Sequence, residues 1–240
     1  MDYGTVEIGR VVKRISRFTV TVACDDTVVA AHLSNTGRNK ELLVPGHAIS
    51  IRKAQNPDRK TPYDIIAVQR DNRWINIDSL APNRLVNAAL RDGSLSLPGC
   101  PGPYVVHPET TYRDSRLDFA GHTQTGQEWF AETKGVTLAN GTRAAFPDAP
   151  TTRGLKHVHT LTAAAQEGYK AFLVFVIQLD GIHDATIYRD RFPALAPAIA
   201  TAQAAGVQVL AVTCASGPDF LTLARPVPFD LNLPFSEVVV

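Results

Sequence analysis

Apolar and polar positions alternate with period two over residues 17–22, the signature of a half-buried strand. Four more short strand-like segments follow at 28–33, 46–53, 63–69 and 73–77. Cys24-Asp25-Asp26-Thr27 offers a turn after the first, and Asp71-Asn72 a hairpin turn between the last two. Five short strands with turn signals predict a small barrel, with the five-stranded OB-like barrel and other small β-barrels equally open on pattern alone.

The period then changes. Residues 82–90 have helical spacing, with Leu85, Val86, Ala89 and Leu90 on one side. Asp92-Gly93 and the Pro/Gly-rich run at 97–103 interrupt regular structure, placing a domain boundary near 80–84. Beyond it strands are expected near 105–119 and 128–137, and a helix from about Thr152 to Gly168. Residues 171–179 are almost wholly apolar, as a strand covered on both faces should be. A helix over 193–205, capped by Gly206, leads to a buried strand at 207–212. The order is β-β-α-β-α-β, a mixed α/β sheet.

Within that second part, Ser115-Arg116-Leu117-Asp118-Phe119 and Trp129-Phe130-Ala131-Glu132-Thr133-Lys134 carry the chemistry. Alternation puts Arg116 with Asp118 on one strand face and Glu132 with Lys134 on another. Paired as a hairpin, the two strands would gather Asp118, Glu132 and Lys134 at one edge. Two carboxylates are hard oxygen ligands that suit Mg²⁺ or Mn²⁺. A lysine beside them can orient a metal-bound water or stabilise charge on a phosphate. The plainer reading of the same triplet is a solvated Glu–Lys pair on a surface hairpin.

On the triplet alone that plainer reading is favoured; longer blocks shift the balance. Residues 109–119 (ETTYRDSRLDF), 132–138 (ETKGVTL), 146–149 (FPDA), 152–157 (TRGLKH) and 34–46 (SNTGRNKELLVPG) occur in the order found in the sugar fermentation stimulation protein A family, which this chain resembles. Ser34 stands where that family usually has proline, and the region after Asp184 lacks its usual Asp-Pro pair. The resemblance implies an OB-like domain at 1–80 followed by a PD-(D/E)XK nuclease-like domain at 81–240. The strand and helix order read above matches such a restriction-endonuclease-like core. The resemblance also implies DNA binding and a role in regulating sugar utilisation. Glu109 corresponds to an acid the family retains, and joins Asp118 and Glu132 as an expected metal contact.

Bulk properties change the picture little. A net charge of +1 argues against a strongly basic nucleic-acid coat. Residues 1–80 hold 12 Lys+Arg against 9 Asp+Glu; subtracting from totals of 24 and 23 leaves 12 against 14 in the remainder. Local patches must therefore carry any DNA contact. Arg38 and Lys40, beside a tight turn at Asn35-Thr36-Gly37 where Gly37 is expected to take a positive φ, form one patch. Arg116, Arg153, Lys156 and His157 form another, the last three on one helix with Thr160. Phe18, Tyr63 and Trp74 could stack on bases or pack in a core. His157 and His159 have no third zinc ligand nearby. Cys24, Cys100 and Cys214 form no disulfide framework or metal finger. No run reaches the ~18 apolar residues a membrane span needs, and the first residues do not read as a signal peptide. A cytoplasmic protein with DNA as partner and no membrane is expected; a homodimer stays open. Two functions compete: Mg²⁺- or Mn²⁺-dependent phosphodiester hydrolysis by Asp118, Glu132 and Lys134, and a non-catalytic DNA-binding regulator on the same scaffold.

Overall fold

The computed structural model describes residues 1–56 and 58–237, so the last three residues assigned above to the second domain lie outside it. Six strands come first: β1 (Glu7–Ser16), β2 (Thr19–Cys24), β3 (Thr27–His32), β4 (Ala48–Lys53), β5 (Tyr63–Arg70) and β6 (Arg73–Asn76). They run in the order β3-β2-β1-β4-β5-β6, and a parallel contact between β3 and β5 closes the first five into a barrel. Asp71 and Asn72 both take positive φ between β5 and β6, as a tight hairpin turn matched to strand twist requires.

The sequence pattern misses β1, and the reason is physical. Its inward positions are Gly9 and Val11, while Ile8, Val12 and Ile15 are 51%, 41% and 60% exposed. Two register shifts against β2 break the alternation further. Gly9 is buried against β2, and a side chain there would overlap Val22, the Ala23 carbonyl and Cys24 of that strand.

Helix α1 (Ala81–Asp92) begins with Pro82 in its first turn and ends on Gly93 in the left-handed region. It buries Leu85, Val86, Ala89 and Leu90, the stripe read from spacing. The expected single strand at 105–119 is a hairpin instead. Strands β7 (Tyr104–Tyr112) and β8 (Ser115–Thr123) flank a turn at Arg113-Asp114, where Arg113 has φ 53°. Neither turn residue is glycine or proline, so the break carries little sequence signal.

There follow β9 (Glu128–Val136), β10 (Ala139–Asn140), β11 (Arg143–Phe146), α2 (Thr152–Gln166), β12 (Lys170–Ile177), β13 (Asp184–Ile187), α3 (Leu195–Ala204), β14 (Gln208–Ser216) and β15 (Leu221–Val227). The main sheet has the order β15-β14-β12-β9-β8-β7, with β9, β12 and β14 parallel and its edges antiparallel. β12 sits between β9 and β14 and is buried along nearly its whole length, which explains its unbroken apolar run. The short strands β10, β11 and β13 make a separate small sheet.

Apolar packing joins the barrel to the sheet. One buried cluster includes Leu33, Leu42 and Ile51 of the barrel part together with Val136, Val158 and Phe175 of the α/β part. A second holds Tyr3, Ile66 and Ala67 with the inner face of α1, Trp129 and Phe172. The polar seam lies at Asp148, whose carboxylate accepts the Asn39 N–H at 3.3 Å. Burial raises the Asp148 carboxyl above the usual aspartate range, against the hydrogen bonds it accepts from the Asn39 and Arg38 amides.

Gly37 belongs to this seam, and its expected positive φ is not found. Close approach requires the glycine: an added Cβ would overlap the Asp148 carboxylate and the Asn35 side chain. Gly37→Ala is therefore expected to destabilise the fold by about 1–3 kcal/mol, the usual range for overpacking, read as a drop in the denaturant midpoint.

Candidate active site

Strands β8 and β9 pair from His122↔Glu128 to Phe119↔Ala131, and there the ladder stops. The next pair in register would be Asp118 and Glu132. Instead the strands part, and each side chain spans the gap to the other strand's backbone. Glu132 Oε2 accepts the Asp118 N–H at 3.2 Å, and Asp118 Oδ2 accepts the Thr133 N–H at 2.8 Å. The carboxylates thus replace lost ladder bonds, and their positions are set by the backbone they serve.

Glu132 is 1% exposed. Its Oε1 accepts from Lys134 Nζ and from His157 Nδ1. An ionised carboxylate this deep is costly unless paired and hydrogen-bonded, and here it is both. Burial raises the Glu132 carboxyl, but the His157 hydrogen bond and the Lys134 charge outweigh it, holding the group below the usual glutamate range. Asp118 goes the other way. Burial and the charge of Glu132 raise its carboxyl, against Lys134, the Thr133 amide and Asn83. Adjacent carboxyls with opposite shifts are a recurrent feature of acid–base and metal sites.

Two helices hold the pair. From α1, Asn83 donates to Asp118 Oδ1 at 2.8 Å. From α2, His157 reaches Glu132, and Arg153 Nε lies 3.5 Å from His157 Nε2. Arginine can only donate, so Nε2 is the acceptor and Nδ1–H faces Glu132. Asn83 was not anticipated: on the amphipathic pattern of α1 it reads as an ordinary flank position, and only the fold brings it to Asp118. The sequence reading also makes His157 a nucleic-acid contact. In the fold it is instead a support of Glu132, because His157 is 4% exposed and its ring is committed to that carboxylate.

The other expected site residues fall in four places. Lys134 stands beside Glu132, its side chain 15% exposed. Glu109 does not join the pair. It lies opposite Asp118 in the β7–β8 register at an interruption of the ladder, with φ 54°, and its carboxylate pairs at the surface with Arg116, where side chains are 66% and 58% exposed. Both expectations for these residues change: Glu109 is not placed as a metal contact, and Arg116 is tied to Glu109 rather than free for phosphate. Arg153 and Lys156 are exposed on α2; Lys156 is paired with Asp114 at 3.0 Å. Thr160, on the expected basic stripe, is instead buried and bonded to Ser115 at 2.8 Å. Arg38 and Lys40 are exposed on the barrel loop whose backbone seats on Asp148, just ahead of α2.

The donor set can be judged against a hard divalent cation. The described residues gather no group of three or more His, Cys, Asp or Glu. Asp118 and Glu132 supply two carboxylates; Asp118 Oδ1, Asp118 Oδ2 and Glu132 Oε2 each accept one bond and keep a second lone pair, while Glu132 Oε1 already accepts two. Mg²⁺ fits such a set, because it is commonly held by one or two carboxylates, with water and substrate phosphate completing the shell.

A closed five-stranded barrel joined to a mixed α/β sheet, with an acid pair and a lysine where two strands part, defines a two-part α/β protein with a buried charged centre. Residues 12–77 match the family described as SfsA N-terminal OB domain, and 80–220 that described as Sugar fermentation stimulation protein RE domain. The chain belongs to the sugar fermentation stimulation protein family. It is 60% identical over 238 residues to a sugar fermentation stimulation protein homolog of Lacticaseibacillus casei (strain BL23), covering 99% of this chain and 98% of that one. A homolog from Enterococcus mundtii is 42% identical over 239 residues, covering 99% of both. Among solved structures, Pyrococcus furiosus SfsA in complex with Ca²⁺ superposes with a TM-score of 0.87 at 24% identity, over 96% of this chain and 98% of that one.

Proposed function

We propose that this chain binds DNA and hydrolyses phosphodiester bonds at the Asp118–Glu132 pair with Mg²⁺ or Mn²⁺, on a PD-(D/E)XK nuclease-like scaffold. The observation that carries this reading is the gap between β8 and β9. Two carboxylates face one another there, with Lys134 on Glu132 and a supporting group on each acid. A surface hairpin with a solvated Glu–Lys pair would not bury its glutamate to 1% exposure. That the similar Pyrococcus protein was solved with Ca²⁺, also a hard cation, supports a cation here.

A divalent cation held by Asp118 and Glu132 would lower the pKa of a bound water and neutralise phosphate charge. The remaining roles belong to the chain. Lys134 sets a positive charge where negative charge builds on the phosphoryl oxygens. His157 and Asn83 hold the carboxylates in register. Arg38, Lys40 and Arg153 offer exposed cations for phosphates around the centre, and such contacts weaken as salt rises because counterions are released on binding.

Labelled single-stranded and duplex DNA, incubated with the full chain and Mg²⁺ or Mn²⁺, is expected to be cut, and chelation to stop it. Binding titrations at several salt concentrations should show affinity falling as salt rises. DNA bound tightly yet never cut with either metal would leave the regulator of sugar metabolism as the function. That alternative draws on the name its relatives carry.

A further inference from the structure

Between the barrel and α1 lies a cavity of about 380 Å³. Three guanidinium groups line it: Arg52 from β4, Arg59 from the connection between β4 and β5, and Arg84 from α1, with His32 of β3 beside them. Two carboxylates line it as well, and both are engaged. Asp78 accepts from the Tyr3 hydroxyl at 3.1 Å, Ser34 Oγ at 3.2 Å and the Leu80 N–H at 3.0 Å. Asp64 accepts from Arg59 at 2.8 Å and lies 4.0 Å from Arg52.

The arginines keep spare donors. Arg52 is held with its guanidinium 5.6 Å from the Tyr3 ring centroid, and its Nε is buried without a hydrogen-bond partner. Arg84 is exposed and has no ion-pair partner among the described residues. A guanidinium presents a rigid fork of donors that matches phosphate oxygens two at a time. The volume sits at the small end of ligand pockets, so it admits one nucleotide-sized group and not a duplex. Its position adds meaning: Arg84 follows Asn83, whose side chain holds Asp118.

We propose that this cavity binds a phosphate of single-stranded nucleic acid, with Arg84 and Arg52 clasping it and the strand passing towards Asp118 and Glu132. The proposal rests on the nucleic-acid reading above, but it concerns binding alone. It is tested on the full chain in chelator at low salt, where no cleavage can occur. The probes are a short labelled oligothymidylate, thymidine monophosphate and inorganic phosphate.

Arg84→Ala is expected to weaken oligonucleotide binding about tenfold or more, as loss of a charge-assisted bidentate contact should. Arg84→Lys should restore only part, because an ammonium lacks the fork. Lys13→Ala, an equal change in net charge at an exposed barrel position, should change little. Melting temperature should be unaltered in all three. The oligonucleotide should bind more tightly than the mononucleotide, and phosphate should compete with both. Equal affinity for oligonucleotide and mononucleotide would overturn the strand assignment. Wild-type affinity in Arg84→Ala, or no binding of any probe, would overturn the site. Because metal is absent, a protein that never cleaves still passes this test, and one that cleaves can still fail it.

Discussion

Glu132→Ala is expected to abolish both cation binding and metal-dependent cleavage. The glutamate is one of two carboxylates at the centre, and a hard cation left with a single charged ligand is poorly held. The substitution also strands its neighbours. Lys134, His157 and the Asp118 amide all donate to this carboxylate, and breaking a buried pair by removing one partner costs about 3–5 kcal/mol. Loss of activity in Glu132→Ala could therefore reflect unfolding. Glu132→Gln separates the two, since it keeps the shape and one oxygen acceptor while removing the charge. Its amide NH₂ meets a donor in place of an acceptor, so it should melt below wild type yet above Glu132→Ala, whose cavity it does not leave. Held below that melting range, the folded protein should show no heat of Mn²⁺ binding in calorimetry and leave DNA uncut. Retained cleavage by a folded Glu132→Gln protein would refute the proposed role.

Lys134→Ala should behave differently. Lysine is a cation and does not ligate Mg²⁺, so Mn²⁺ binding should persist. Turnover should fall ~10²-fold or more if the ammonium stabilises charge that develops only in the transition state. There is a pH condition on this comparison. The Glu132 carboxyl is held low by the His157 bond and by the Lys134 charge. Removing Lys134 moves it upward, so at mildly acidic pH protonation of Glu132 would mimic a loss of metal affinity. Calorimetry and cleavage measured at pH about 8, well above the ordinary glutamate value of about 4.3, keep Glu132 ionised in both proteins. Equal turnover in the variant and wild type would remove Lys134 from the mechanism.

What the sequence made legible follows from where its signals are local. Alternation located β2, where periodicity and burial coincide; short strand-like segments between turn signals located β3 to β6; and the apolar run located β12, buried nearly throughout. The pattern failed at β1, where Gly9 faces inward and isoleucines face outward, and at Arg113, which makes a left-handed turn without glycine. The acid pair was visible because period two puts Glu132 and Lys134 on one face. Its supports were not. Asn83 and His157 come from helices 35 and 25 residues away in sequence from the acids they touch, and no local pattern encodes such a contact. For the same reason the α2 stripe misled. Arg153, Lys156 and His157 look alike on a helical wheel, yet the sheet beneath takes the histidine and leaves the other two in solvent.

The apolar clusters that span barrel and sheet bear on how this chain could be taken apart. A cut near residue 80 would look natural from the change of pattern, and it would divide both buried clusters, one of which holds Leu33 and Leu42 with Val136 and Phe175, and the other Ile66 with Phe172. Each piece would carry an oily face that water penalises and that neighbouring copies would cover. The halves of this protein are therefore not interchangeable cassettes. Grafting the barrel onto another enzyme, or expressing the sheet alone for crystallisation, would first require resurfacing the seam that Asp148 and Gly37 close.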